Sequence, residues 1–268
     1  MGAAGIVQPM TTPPAEPPSP SPPPPASPAA VFGFDAFSPR EVAERIEVLG
    51  VAKARLPLAS MLLLAVLAGA YIGFGSLFFL LVTADPSWSF ASARVLGGLV
   101  FSLGLLTVVV AGAELFTGNH LLAMAWAVAG ADLGSFNGGR LAQQAMKVAQ
   151  AKADLPADVA FLRGVLCNVL VCLAVWMAAA GRSVVDKAVA VVPPVTAFVA
   201  LGFEHSVANF FFFPLALLLE PTAAAAGLPA PGAGAILGNL LPVITGNLVG
   251  GSVLVAGVYW VVYRRGAR

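Results

Sequence analysis

Three ionisable side chains stand inside stretches that are otherwise apolar: Glu114, Glu204 and His205. A charge at mid-bilayer depth costs roughly 2.5–3.5 kcal/mol on insertion scales, so such groups mark a route for solute or protons. His205 is the one of the three whose ordinary titration falls near neutral pH, which suits it to give or take a proton. Glu114 belongs to Gly112-Ala113-Glu114-Leu115-Phe116-Thr117-Gly118-Asn119, and Glu204 and His205 to Gly202-Phe203-Glu204-His205-Ser206-Val207-Ala208-Asn209. Placing Gly112 on Gly202 matches a glutamate two residues on and an asparagine seven residues on, Asn119 and Asn209. Corresponding Gly/polar interruptions of two apolar segments are the sequence sign of an inverted-repeat transporter with two broken helices. A helix broken in mid-membrane leaves backbone groups unpaired, tolerable only where protein or a watery cavity satisfies them. Glu114 and Glu204 are therefore expected to cap the broken ends through backbone N–H groups, whose positive dipole ends also suit an anion.

Other chemistries lack their residues. There is no HExxH, no Cys/His ligand set and no nucleophile elbow, so an enzyme is not expected. His120 has no second ligand nearby, and neither a metal nor a cofactor is expected. Fourteen Lys and Arg against thirteen Asp and Glu leave a net charge of +1, too little to grip nucleic acid. Cys167 and Cys172 sit five apart in one apolar run, where a single helix cannot bridge them.

The elements that must position these residues follow from composition. The 268 residues are 59% apolar and only 10% charged, with a mean hydropathy of +0.89. Soluble domains carry about 25% charge, so the chain reads as an all-α integral membrane protein. Eleven of the 22 prolines lie between Pro9 and Pro28, which makes 1–37 a disordered Pro-rich tail. Ser38-Pro39-Arg40-Glu41 is a capping box that opens an amphipathic interfacial helix over 38–55, with Val42, Ile46 and Leu49 on its apolar face. The transmembrane domain runs from 56 to 265. Its uncharged runs are Leu56–Ala84, Val95–Ala113, Gly164–Gly181, Ala188–Leu219 apart from Glu204 and His205, and Pro221–Tyr263, whose start (221–235) reads as a loop. Gly69/Gly73 and Gly246/Gly250 are small-xxx-small pairs that allow helices to approach closely. Phe210 to Phe213 read as lipid- or subunit-facing bulk.

Basic residues set the orientation. Arg40, Arg45, Lys53 and Arg55 precede the first run, Arg182 and Lys187 separate the third from the fourth, and Arg264, Arg265 and Arg268 follow the last. The positive-inside rule puts both termini and the 182–187 loop in the cytoplasm. Two crossings before Gly130 return the chain to the cytoplasm, yet the span at Arg163 must start outside. One crossing is missing between Gly130 and Arg163, and no apolar run there supplies it.

These stretches resemble the formate/nitrite transporter family. The resemblance rests on AGAELFTGN (111–119), RGVLCNVLVCLAVWMA (163–178), GRSVVDKA (181–188), GFEHSVAN (202–209) and LPVITGNLVGG (241–251). It implies a six-helix, aquaporin-like protomer with inverted repeats, assembled as a homopentamer in the inner membrane, each protomer with its own pore for small monovalent anions such as formate, nitrite or hydrosulfide.

By the same resemblance His205 matches the central pore histidine and Thr117 the threonine of the first break. Leu115 and Phe116 match the cytoplasmic constriction; Phe101, Leu105 and Phe198 match the apolar side chains narrowing the pore. Lys53 and Lys152 match basic residues of the two vestibules, and Asn168 and Asn247 polar residues of the flanking helices. One departure stands out: the family's third spanning helix is not visible between Ala129 and Phe161, the place where the charge count lacks a crossing. The expectation is thus a family member short of one transmembrane helix, either a small-anion pore or a non-transporting truncated form.

Overall fold

The computed structural model describes residues 36–113, 119–223 and 227–265, and of 119–123 the backbone only. The expected tail lies outside these residues. Helix α1 (Pro39–Ala54) begins as its capping box predicts: the Ser38 hydroxyl accepts from the Glu41 N–H, and the Ser38 N–H donates to the Glu41 carboxylate at 2.7 Å. The Ser38 hydroxyl, which also donates to the Glu41 carboxylate at 2.7 Å, and the Ser38 N–H together hold that carboxyl below its ordinary pKa.

Helices α2 (Leu58–Thr83) and α3 (Phe90–Ala111) pack antiparallel and closely. Glycine makes that approach possible, since a Cβ on Gly75 would meet the Phe101 carbonyl at 2.6 Å and one on Gly104 the Ile72 Cα at 3.0 Å. After the first break come α4 (Asn119–Gly130) and α5 (Arg140–Ala153), then α6 (Ala157–Ala180) and α7 (Val184–Ala200). The second break precedes α8 (Ser206–Ala223). Helix α9 (Ala233–Leu248) continues through a π-helical stretch (Val249–Gly257) into α10 (Val258–Tyr263). Among the described residues five helices are long and apolar enough to cross a membrane, the last being the continuous Ala233–Tyr263. The loop expected over 221–235 is shorter, because α8 runs on through Pro221 to Ala223 and α9 starts at Ala233.

One end of the bundle gathers the basic segments. Arg264 bonds Glu47 at 2.6 Å and Glu44 at 3.3 Å. Phe37 donates its N–H to the Ala180 carbonyl and lies 4.0 Å from the Arg45 and 4.6 Å from the Arg182 guanidinium. The start of α1, the α6–α7 turn and the end of α10 therefore share one face, as the charge pattern requires.

The missing crossing has a structural answer. Gly97, near the start of α3, faces Thr83 at the end of α2. The Gln144 amide on α5 donates to the Thr83 hydroxyl at 3.2 Å, so by α5 the chain is back at the end where α3 began. Met124 on α4 abuts Gly73, and a Cβ on Gly134 would meet Leu219 at 2.6 Å. The second apolar run therefore does not leave the chain at α1's face: after α3 and α4 it is back, by α5, at the end where α3 began. At 1.5 Å per residue, α3 extends about 33 Å and α4 only about 18 Å. Between Gly130 and Ala157 the described residues hold a single 3₁₀ turn (Leu133–Ser135) and the 14-residue α5, neither long enough to span. Helix α5 was not foreseen from the sequence, although Leu141, Ala142, Ala145, Met146 and Ala149 form one buried face at helical spacing.

Phe211, Phe212 and Phe213 do not face lipid. All three are buried, Phe212 edge-on to Phe79 with ring centroids 6.1 Å apart. Helix α8 is enclosed by α2, α4 and α5, and aromatic bulk fills that space. The two cysteines are free, as expected.

Candidate functional site

The second break is built first from backbone. Helix α7 ends at Ala200, and Gly202 turns the chain with φ +71°. Gly112, which caps α3, has φ +74°. The two glycines aligned by sequence therefore make the same left-handed exit from their half-helices, a conformation that costs other residues energy.

The start of α8 is held by Asn247 of α9. Its Oδ1 accepts from the Ser206 N–H at 2.9 Å and the Ser206 hydroxyl at 2.8 Å. Its Nδ2 donates at 2.9 Å to both the Glu204 and Gly164 carbonyls. Asn168 donates to the Asn247 carbonyl at 2.6 Å. One side-chain amide thus satisfies both a donor and an acceptor that the broken helix leaves orphaned. Close backbone contact brings α9 within reach: a Cβ on Gly246 would strike the Phe161 carbonyl and one on Gly250 the Val165 carbonyl, both on α6.

Glu204 does not cap α8, contrary to the expectation. Its buried carboxylate accepts from Lys152 Nζ at 3.0 and 3.1 Å and from Asn209 Nδ2 at 2.8 Å. A buried carboxylate needs a cation more than it needs an amide, and Asn247 already serves the Ser206 N–H. Asn209 Nδ2 also donates to Asn239 Oδ1 at 2.8 Å, while Asn239 donates to the Lys152 carbonyl at 2.8 Å. The network closes on Lys152. Asn239 was missed in the sequence, although Gly238-Asn239 repeats as Gly246-Asn247 eight residues later.

Above this network lies a cavity of about 330 Å³ whose walls carry Arg94, Lys147, Lys152 and Arg163, with Glu204 and His205 at its edge. Lys152 is neutralised by Glu204. Arg94 and Arg163 instead donate to backbone carbonyls: Arg94 to Ala200 and Val199, each at 2.8 Å, and Arg163 to Gly202 at 3.4 Å. Sequence reading passed over Arg94, Lys147 and Arg163, each the start of an apolar run or part of α5. Phe101 and Phe198 also line the cavity, both buried and meeting edge to face at 5.9 Å and 83°. The His205 ring stands 5.8 Å from Phe198. His205 is buried, and its Nδ1 has no hydrogen-bond partner among the described residues.

The structure thus brings Phe101, Phe198, Lys152, Glu204, His205 and Asn209 together, with Asn168 and Asn247 behind them. Leu105 is buried one turn inward of Phe101 on α3 and does not line the cavity. Lys53 is exposed in the last turn of α1, at the other end of the bundle. Glu114, Leu115, Phe116, Thr117 and the side chain of Asn119 lie outside the described residues. Among the described residues no cluster of three metal-ligating side chains occurs.

Comparison with known proteins bears on these groups together. The sequence model of the formate/nitrite transporter family matches residues 40–132 and 122–261. The formate channel FocA of Escherichia coli K12 is 34% identical over 280 positions, covering 87% of this chain and 96% of FocA. A probable formate transporter of Methanothermobacter thermautotrophicus is 32% identical, covering 84% of this chain and 97% of its own length. Among solved structures, a pentameric formate channel with formate bound superposes with a TM-score of 0.69 at 33% identity, covering 76% of this chain and 97% of that one. An FNT family ion channel gives 0.65 at 31%, covering 84% and 98%. The family match falls in two parts that meet at 122–132. The 280 positions aligned with FocA hold about 233 residues of this chain (87% of 268), which leaves about 47 positions empty on this side. That is room for a spanning helix and its loops.

Proposed function

The chain belongs to the formate/nitrite transporter family, and on that premise we propose that it conducts formate, and with it nitrite, across the cell's inner membrane as a homopentamer with one pore in each chain. The observation that carries the reading is one cavity whose lining joins basic side chains, two apposed phenylalanines and a buried imidazole whose Nδ1 has no partner among the described residues.

Each step has a physical role. Arg94, Lys147 and Arg163 raise the local concentration of anions at the cavity mouth. Phe101 and Phe198 offer an anion no hydrogen bond in place of its water, so a bare charge is opposed there. His205 meets the solute at that barrier and lends it a proton, with the Thr117 hydroxyl assisting, so that the crossing species is effectively neutral. By the family resemblance Leu105, Leu115 and Phe116 would add apolar resistance to a bare charge, and Lys53 would serve the opposite vestibule. The face that holds α1, the α6–α7 turn and the end of α10 is cytoplasmic, because it carries more of the arginines and lysines than the end that holds the cavity.

Uptake of formate and of nitrite into proteoliposomes tests this directly. His205→Phe preserves the ring's bulk and removes its proton, so uptake is expected to collapse while the oligomer and its melting temperature persist. Undiminished uptake with unchanged pH dependence refutes the proton role. The return of the chain to the start of α3 by way of the short α4 gives specific weight to a second reading, a truncated member that assembles without conducting. A pentamer that carries no flux of formate, nitrite or hydrosulfide favours that reading over the first.

A further inference from the structure

We propose that Arg94 is the residue that sets the aperture of the Phe101/Phe198 constriction, by clamping the end of α7 onto α3; this rests on the anion-pore reading above. Arg94, Gly98 and Phe101 lie at positions i, i+4 and i+7 of α3 and so share one face. Every one of them meets α7. Arg94 donates from Nε to the Ala200 carbonyl and from Nη2 to the Val199 carbonyl, both at 2.8 Å. Gly98 lets the backbones touch, for a Cβ there would fall 2.6 Å from the Thr196 carbonyl oxygen. Phe101 then meets Phe198, the residue just before the clamped carbonyls of Val199 and Ala200.

The chemistry of arginine fits this task. The last carbonyls of a helix lack intrahelical donors and carry the negative end of the dipole, so a cation placed there is stabilised twice over. Two parallel N–H groups of a planar guanidinium fix distance and angle together; the single ammonium of lysine fixes only distance. Phe198 is tied to the same segment from the other side, because its carbonyl accepts from the Phe203 N–H at 2.9 Å. The half-buried Arg94 also blocks any side chain at Gly202, where a Cβ would lie 2.8 Å from its Nη2. The clamp thus ties the helix bearing one phenylalanine to the end of the helix that bears the other and leads into the turn with the imidazole.

Two variants separate the clamp from the charge. Arg94→Lys keeps the charge and loses the fork; Arg94→Gln loses the charge. In proteoliposomes the acetate-to-formate uptake ratio is expected to rise in both by roughly tenfold, the factor that one lost charge-assisted hydrogen bond amounts to. Lys147→Gln lines the same cavity without touching α7, and is expected to weaken formate uptake at low salt while leaving the ratio as it was. A second readout does not depend on formate passage. The rate at which an external anionic methanethiosulfonate labels Leu105→Cys, one turn behind the phenylalanines, is expected to rise with Arg94→Lys. A ratio and labelling rate unchanged in Arg94→Lys overturn the clamp, whatever Arg94→Gln does, because the charge alone would then suffice. If the parent protein carries no formate, the anion reading fails and the labelling arm alone decides the role of Arg94.

Discussion

Replacing Asn247 with alanine removes four hydrogen bonds at once: two accepted from Ser206 and two donated to the Glu204 and Gly164 carbonyls. A hydrogen bond contributes about 1 kcal/mol net in water-soluble proteins and about 0.6 between membrane helices, so the loss sums to about 2–4 kcal/mol. For a chain of this length each kcal/mol moves the melting temperature by about 2–4 °C, which predicts a fall of about 5–15 °C. Thermal unfolding in detergent, read by loss of the oligomer peak in size exclusion, measures it. Ser206→Ala removes only the hydroxyl's bond and is expected to cost about 1 kcal/mol or less. Combined with Asn247→Ala it adds almost nothing, since both delete the same interaction. An Asn247→Ala protein that melts within about 2 °C of its parent refutes the reasoning, because the second break would then hold itself without α9.

The buried ion pair and the glycine contacts give two more expectations. Lys152→Met leaves the Glu204 carboxylate buried beside Asn209 without its cation and is expected to destabilise by about 3–5 kcal/mol; Lys152→Met with Glu204→Gln recovers most of that, and equal melting of single and double variants would show the pair to be uncoupled. Gly246→Ala drives a methyl into the Phe161 carbonyl, where the backbones must part at about 1–3 kcal/mol, whereas Gly238→Ala meets open space and gains up to about 1 kcal/mol of helix propensity. Melting temperatures that move in the same direction for both glycines would contradict the packing of α9 on α6.

Some features were legible because they obey local rules. The capping box at Ser38 starts α1 from its own side chains. The paired Gly/polar interruptions announced both breaks, and Gly112 and Gly202 take the same positive φ. The amide pair Asn168 and Asn247 was picked out through the family motifs; Asn247 bonds the second break, and Asn168 bonds the Asn247 carbonyl. Other features depend on partners far along the chain. Glu204 looked like a helix cap because the carboxylate lies beside a helix start; its cation, Lys152, comes from 52 residues upstream on an amphipathic helix with no strong apolar run. Arg94 and Arg163 were passed over, because no local pattern shows that the end of α7 and the turn after it lie against them. Phe211 to Phe213 read as surface because an apolar ring is equally at home in lipid and in a core.

The sequence by itself determined that this chain is an all-α membrane protein of the formate/nitrite transporter family. Uncharged runs of spanning length and helices broken around ionisable residues admit no other solvent than a bilayer. It also determined where a helix is absent, since that is a matter of length and charge along the chain. Only the tertiary structure decided which way the remaining half-helix runs, and with it how the crossings balance. A sequence gives the length of α4 but not its direction, which is fixed by the packing of Met124 on Gly73 and of Gly134 on Leu219. The same holds for the cavity: its cations come from α3, α5 and α6, and their meeting at one mouth is set by close packing between helices rather than by any local pattern.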